Sequence, residues 1–248
     1  MWSFSLWAFL PPVYAVLTAA GLWTVYFVAL NDERIAPLGS KYRRRNGSFY
    51  APYISIAGNF PPASCIFSEI MNLAAFVGFI IAVLRYVQLR HEMDKQWLNV
   101  GSLVAFSIAC FGMTLVGNVQ LFSEEMIHNF GTFLTFGLGT LYCWVQSYIT
   151  VRVNLKNEGK KAGILRFLLS GCITVCMIPH VALMAQGFHM QAAQFQWAVA
   201  MFFLAFFGTF AIEFRHNRFS IVCRDNSGGP GSYAETRSEV SRHQSDQL

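Results

Sequence analysis

The chain has 248 residues, 54% of them hydrophobic and only 12% charged, and Lys plus Arg outnumber Asp plus Glu by 18 to 13. A soluble domain of this size carries about a quarter charged residues. The apolar runs are apolar all round, without the polar face of a surface helix, so the composition excludes an ordinary water-soluble enzyme or binding module.

Charge is segregated along the chain. Residues 7–30, 70–84 and 96–123 contain no Asp, Glu, Lys or Arg, 126–151 adds only His128, and 167–212 is uncharged throughout. A hydrocarbon core about 30 Å thick needs about 20 apolar residues per helix. The first four runs are therefore one span each, and the fifth is two spans joined at Gln186-Gly187-Phe188-His189-Met190-Gln191. The expected fold is an all-α polytopic membrane protein of six transmembrane helices, over residues 7–30, 64–85, 97–121, 124–151, 164–185 and 192–213. These make a domain of residues 1–224. The first run is too long for a cleaved signal sequence and has no basic segment before it.

Helix one opens on Pro11-Pro12 and carries Trp23 and Tyr26 towards its other end. One long outer loop, 31–63, comes next. Asn46-Gly47-Ser48 within it is a glycosylation acceptor pattern, which places Asn46 on the luminal face. Loops two and four and the tail hold basic residues: Arg85, Arg90 and Lys95; Arg152, Lys156, Lys160, Lys161 and Arg166; then Arg215, Arg218, Arg224, Arg237 and Arg242. Loops three and five have none. Loop one also carries Arg34, Lys41, Arg43, Arg44 and Arg45, but the Asn46 pattern sets it on the luminal side with the two uncharged loops. Cytoplasmic loops carry the Lys and Arg excess, so both termini are expected in the cytosol. Lys156, Lys160, Lys161, Arg215, Arg218 and Arg224 are positioned to attract anionic lipid at about 1 kcal/mol per charge. Residues 225–248 read as a disordered cytosolic tail. Its end, Ser245-Asp246-Gln247-Leu248, fits recognition by a PDZ-type scaffold through Leu248.

Helix four places Gly131, Thr135 and Gly139 at four-residue spacing, and helix three does the same with Ala105 and Ala109. Small residues on one face let a neighbouring helix approach closely. Cys65 alone lies near the outer face, which gives no pair for an external disulfide. Cys172 and Cys176 lack a histidine pair and read as packing residues. No nucleophile–base constellation, metal quartet or phosphate loop is present, so neither an enzyme nor a cofactor is expected.

Polar groups gather near the outer membrane level: Glu69 one turn into helix two, Asn118 and Gln120 at the exit of helix three, Glu124, Glu125 and His128 at the start of helix four, and Gln196 opening helix six. They are expected to form one outer polar cluster. Ser123 reads as the N-cap of helix four, with Glu124 and Glu125 in its first turn. His180 comes directly after Pro179 and reads as a core histidine at a kink. The stretch APYISIAGNFPPASC is expected to fold as a lid, with Phe49, Tyr50, Tyr53 and Phe60 at headgroup depth and Glu69 turned to protein or water.

The segments APYISIAGNFPPASCIFS, GMTLVGNVQ and IHNFGTFLTFGLGTLYCW resemble the transmembrane protein 150 family. That family sits in a wider group with the damage-regulated autophagy modulators and the lipid-remodelling factor of GPI anchors. VNLKNEGKKAGI and FGTFAIEFRHNRF are similar to its C branch. The resemblance implies six spans with cytosolic termini, and residence at the plasma membrane with an endolysosomal pool. It also implies a mechanically activated, calcium-permeable, non-selective cation channel, or an essential part of one. A non-conducting modulator of channels or membrane state, and a lipid-handling or autophagy-related protein, are the competing readings. The partners implied are membrane lipids, further copies of the chain and other channel subunits. Relatives read Cys-Glu-Trp where this chain has Phe195-Gln196-Trp197, so an acid is replaced by an amide.

Overall fold

Each apolar run folds as helix, and the sequence conceals only how the fourth is built. A computed structural model of the chain describes residues 5–41 and 49–219. A 3-10 turn, Leu6–Phe9, leads into α1 (Leu10–Asn31), whose two prolines lie in the first turn, where no intrahelical N–H is required. The short α2 (Ile54–Ala57) comes next, then α3 (Ala63–Leu89) and α4 (Gln96–Asn118). After these are α5 (Glu125–Phe133), a π-helical segment (Leu134–Leu138) and α6 (Gly139–Val153). The last elements are α7 (Gly159–Ala185), α8 (His189–Gly208) and α9 (Ala211–Phe214).

Five helices are long and apolar enough to cross a membrane by length and composition: Leu6–Asn31, Ala63–Leu89, Gln96–Asn118, Gly159–Ala185 and His189–Phe214. Their outward surfaces stay apolar, with Leu17, Phe76, Phe111, Leu168 and Val175 all exposed. Apolar surface on that scale belongs in hydrocarbon rather than water. The chain is a multi-pass membrane protein.

The remaining apolar run, expected as one helix over 124–151, is helical from Glu125 to Val153 but divided by the π segment. Its threonines explain the division. The hydroxyls of Thr132, Thr135 and Thr140 each donate to the carbonyl four residues back, at 3.0, 2.8 and 2.6 Å, which loosens the i→i−4 ladder. Across the turn, Gly131 faces Gly112 of α4 so closely that a Cβ on Gly112 would lie 2.7 Å from the Gly131 carbonyl oxygen. The π segment rotates the start of α6 relative to α5, so Gly139 meets Phe203 of α8 instead of α4. The small-residue face thus serves two neighbours. Ala109 is buried and Ala105 half-buried on α4.

The long helices close a ring in chain order, α1 beside α3, then α4, α5–α6, α7, α8 and back to α1. The first 3-10 turn packs on α9, so the first and last described elements share one end of the bundle. One expectation is corrected here. Ser123 does not cap α5: Glu124 occupies the cap position without a side-chain bond, and the Ser123 N–H turns back to the Gln120 carbonyl at 3.0 Å. Pro179 lies inside α7, and His180 beside it is buried. Asn46, Arg224 and Leu248 lie outside the described residues.

The α4–α5 contact gives a direct test. Gly112→Leu should cost about 1–3 kcal/mol through overpacking and lower the thermal midpoint of detergent-solubilised protein. Gly101→Ala, whose Cβ meets nothing within 4 Å, should leave that midpoint essentially unchanged.

Candidate functional site

At the end of the ring where α3 stops, three charged side chains are buried together. Arg85 and Arg166 are fully buried and Glu213 is 2% exposed. The Glu213 carboxylate accepts from Arg85 at 3.0 Å and from Arg166 at 2.9 Å, with a second, shorter contact to Arg166. The Thr150 hydroxyl accepts from both guanidinium groups. Arg85 also donates to Gln146 and Gln88, at 3.2 and 2.6 Å. Arg166 also donates to the Thr209 hydroxyl at 2.9 Å. Gln88 reaches Asn217 at 2.6 Å, and Gln146 reaches Ser102 at 2.9 Å. Phe210 lies under the Arg166 guanidinium at 4.4 Å and the Arg85 guanidinium at 5.5 Å. Two cations face one anion, so the group carries a net positive charge. Counting Arg85 and Arg166 as loop charges is wrong, because both are interior.

The opposite end is closed by the loop between α1 and α3. Its described part is pinned by backbone bonds between Ala36 and Tyr50 (2.9 Å) and between Tyr50 and Arg34 (3.0 Å). It then descends into the ring as α2. The Gln196 carbonyl oxygen accepts from the Ile54 N–H at 2.8 Å, and the Trp197 indole donates to the Pro52 carbonyl at 2.9 Å. Gly58 packs on the Phe67 ring, where a Cβ would sit 2.3 Å from a ring carbon. Tyr53, expected at headgroup depth, is buried, and its hydroxyl meets His189 Nδ1 at 3.1 Å. Tyr50 and Phe60 instead pack with Phe122, at 5.1 and 5.7 Å between ring centroids.

Two cavities occupy the ring axis between these closures. The outer, about 250 Å³, lies beneath the lid among Tyr53, His128, Asn129, His180, Met184 and His189. The inner, about 110 Å³, is apolar and is lined by Met71, Phe106, Ala109, Met113, Phe203 and Phe207 among others. Ser55, Thr132 and Gln196 line both. Among the described residues, neither lining contains Asp, Glu, Lys or Arg. Below the inner cavity, Phe106, Tyr142, Phe207 and Phe210 form a chain of ring contacts leading to the buried arginines. On the ring's flank, α6 packs along α7 through Trp144–Thr174 and Ser147–Ser170. The π segment turns α5 onto α4 instead, which leaves the outer cavity bordered by Asn129 of α5 and Met184 of α7.

The seven residues expected as one outer cluster separate into two groups. His128 and Gln196 line the outer cavity. Asn118 bonds Ser68 and Asn72, at 2.7 and 3.1 Å, on an exposed seam between α3 and α4. Glu69, Glu124 and Glu125 are exposed, and Gln120 is half-buried outside both cavities. Glu69 therefore faces away from the lid. Helix geometry is the reason, because Phe67 and Met71 already occupy the inward face of α3. His180, read as a core residue, donates through Nδ1 to the Ala192 carbonyl at 2.9 Å and also lines the cavity. Lys156, Lys160 and Lys161 are exposed, as is Arg218. Arg215 is committed to an ion pair with Glu158, which His216 joins at 3.0 Å.

The Frag1/DRAM/Sfk1/Cwh43P N-terminal domain model matches residues 6–217. The chain belongs to the Frag1/DRAM/Sfk1 family and, within it, to the TMEM150 proteins. It is 34% identical to the modulator of macroautophagy TMEM150B of Danio rerio, over 87% of this chain and 88% of the relative. With the human protein of that name the identity is 33%, over 86% and 87%. With transmembrane protein 150A of Xenopus laevis it is 28%, over 84% and 83%. No solved structure matches.

Glu213→Gln should be strongly destabilising, by about 3–5 kcal/mol, because it leaves two buried guanidinium groups without their anion. A thermal melt in detergent reads the loss. Glu158 is held below the usual carboxylate range, first by its bond to His216 and then by Arg215. A depressed carboxylate pKa stabilises the fold above the ordinary value and loses that contribution as pH falls through the depressed one. The contact of Glu158 with Arg215 and His216 should therefore weaken as pH falls through that depressed value, and Glu158→Gln should shrink the acid-induced drop in melting temperature.

Proposed function

We infer that this protein is a non-conducting modulator of membrane state in the autophagic and endolysosomal system, responsive to a lipid held in its ring axis. The carrying observation is the buried Arg85–Glu213–Arg166 group beneath an apolar cavity. A cation descending the axis would leave water, cross the apolar lining and meet net positive charge in a low dielectric. Cation pores present rings of acids or carbonyls, and here Glu69, Glu124 and Glu125 stand on the periphery. The relatives named as modulators of macroautophagy support the same reading.

In this reading the divided helix, Glu125–Val153, makes the sixth crossing. The contact between the first 3-10 turn and α9 agrees with an even number of spans. The exposed Lys156, Lys160 and Lys161 support a cytosolic position for that end, by the positive-inside bias. The relatives' role favours residence at the endolysosomal membrane, with a plasma-membrane pool. Asn46 would then be luminal and open to glycosylation, and Leu248 would be available to a cytosolic scaffold. The C-branch likeness and its mechanically gated channel gain no support from the axis, which has no acidic ring among the described residues.

The experiment is purified full-length protein in liposomes, patched under stretch, beside autophagic flux in cells lacking and re-expressing it. The expected result is a silent membrane and altered flux. Stretch-evoked calcium current from the purified protein alone would overturn the reading.

A further inference from the structure

The outer cavity holds an imidazole acceptor. His180 lines it, and its Nδ1 lies 2.9 Å from the Ala192 carbonyl. A carbonyl only accepts, so Nδ1 carries the hydrogen and Nε2 presents a bare lone pair. An acceptor left unmade inside the ring is costly, so the cavity is completed by a donor. His128 repeats the pattern, with Nδ1 2.6 Å from the Val119 carbonyl, but protein walls off its Nε2 and it takes no donor from the cavity. Gln196 has its oxygen engaged by Ile54 and its amide hydrogens left to donate. The site therefore asks for a head that both donates and accepts hydrogen bonds, and it offers no charge to pair with an ionic one.

The inner cavity sets the tail. An engineered apolar cavity of about 150 Å³ admits benzene, and the inner cavity here is about 110 Å³. That is room for the end of one acyl chain and too little for a fused ring system. The two cavities meet at Ser55, Thr132 and Gln196, so head and chain lie end to end along the axis.

We propose that the axis binds a neutral, hydroxyl-headed single-chain lipid of the monoacylglycerol class, with its glycerol hydroxyls donating to His180 Nε2 and its chain ending against Phe203 and Phe207. This rests on the lipid-responsive reading above and names the ligand of that site.

The test uses full-length protein in detergent micelles and a monoacylglycerol with a diazirine and an alkyne on its chain. Crosslinks should map to Met71, Met113 or Phe203 and be competed by unlabelled monoacylglycerol. Lysophosphatidylcholine and a sterol should compete at least tenfold less well. His180→Leu should weaken competition roughly tenfold, about the value of one buried hydrogen bond, and His180→Gln, which keeps both a donor and an acceptor, should restore it. Ala109→Leu fills the inner cavity from the opposite side and should abolish labelling. Thermal melts of each variant separate lost binding from lost folding. Equal competition by lysophosphatidylcholine or sterol, or labelling indifferent to Ala109→Leu in folded protein, would overturn the proposal. Those outcomes leave the silent-membrane result untouched, so the ligand class and the non-conducting reading fail separately.

Discussion

The structure is organised around the burial of two arginines on one glutamate. Arg85 comes from α3, Arg166 from α7 and Glu213 from α9, and Thr150 of α6 and Ser102 of α4, through Gln146, complete the network. Guanidinium groups supply planar, fixed donors that can satisfy several helices at once. Inside a bilayer, where no water takes up an unmade bond, such a network fixes the order of the ring. Breaking it strands charge, so the register of each contributing helix is held by the others.

That closure has a consequence at the far end. With the axis blocked below, the loop between α1 and α3 is free to enter the ring from above, and Gln196 and Trp197 receive it. The loop and the charged network leave between them an apolar lumen topped by imidazoles. The π segment connects these features. By releasing α5 from the line of α6, it lets α6 pack on α7 at one level while α5 packs on α4 at another.

Much of this architecture is legible in residue order. Uncharged runs near 20 residues mark the helices, and Gly131 and Ala109 mark close approaches. The burial of Tyr53 in the stretch APYISIAGNFPPASC is hidden because Ile54–Ala57 is only one turn long, with no periodicity to read. The polar cluster is misleading because proximity to one membrane level says nothing about direction around a helix. Glu69 and Phe67 are two residues apart and face opposite ways. The arginines escape notice because positive charge at the end of an apolar run looks like a loop. The available signal is Glu213, an acid closing the long uncharged run 167–212, which needs cations beside it if the helix end is buried.

The central claim is a closed axis holding a lipid, and the most direct measurement is a cryo-electron microscopy map of the full chain in lipid nanodiscs. The account predicts elongated non-protein density from His180 to Phe207, with Arg85, Glu213 and Arg166 in contact below it. A continuous water-filled path past Arg85, with the three side chains drawn apart, would contradict it.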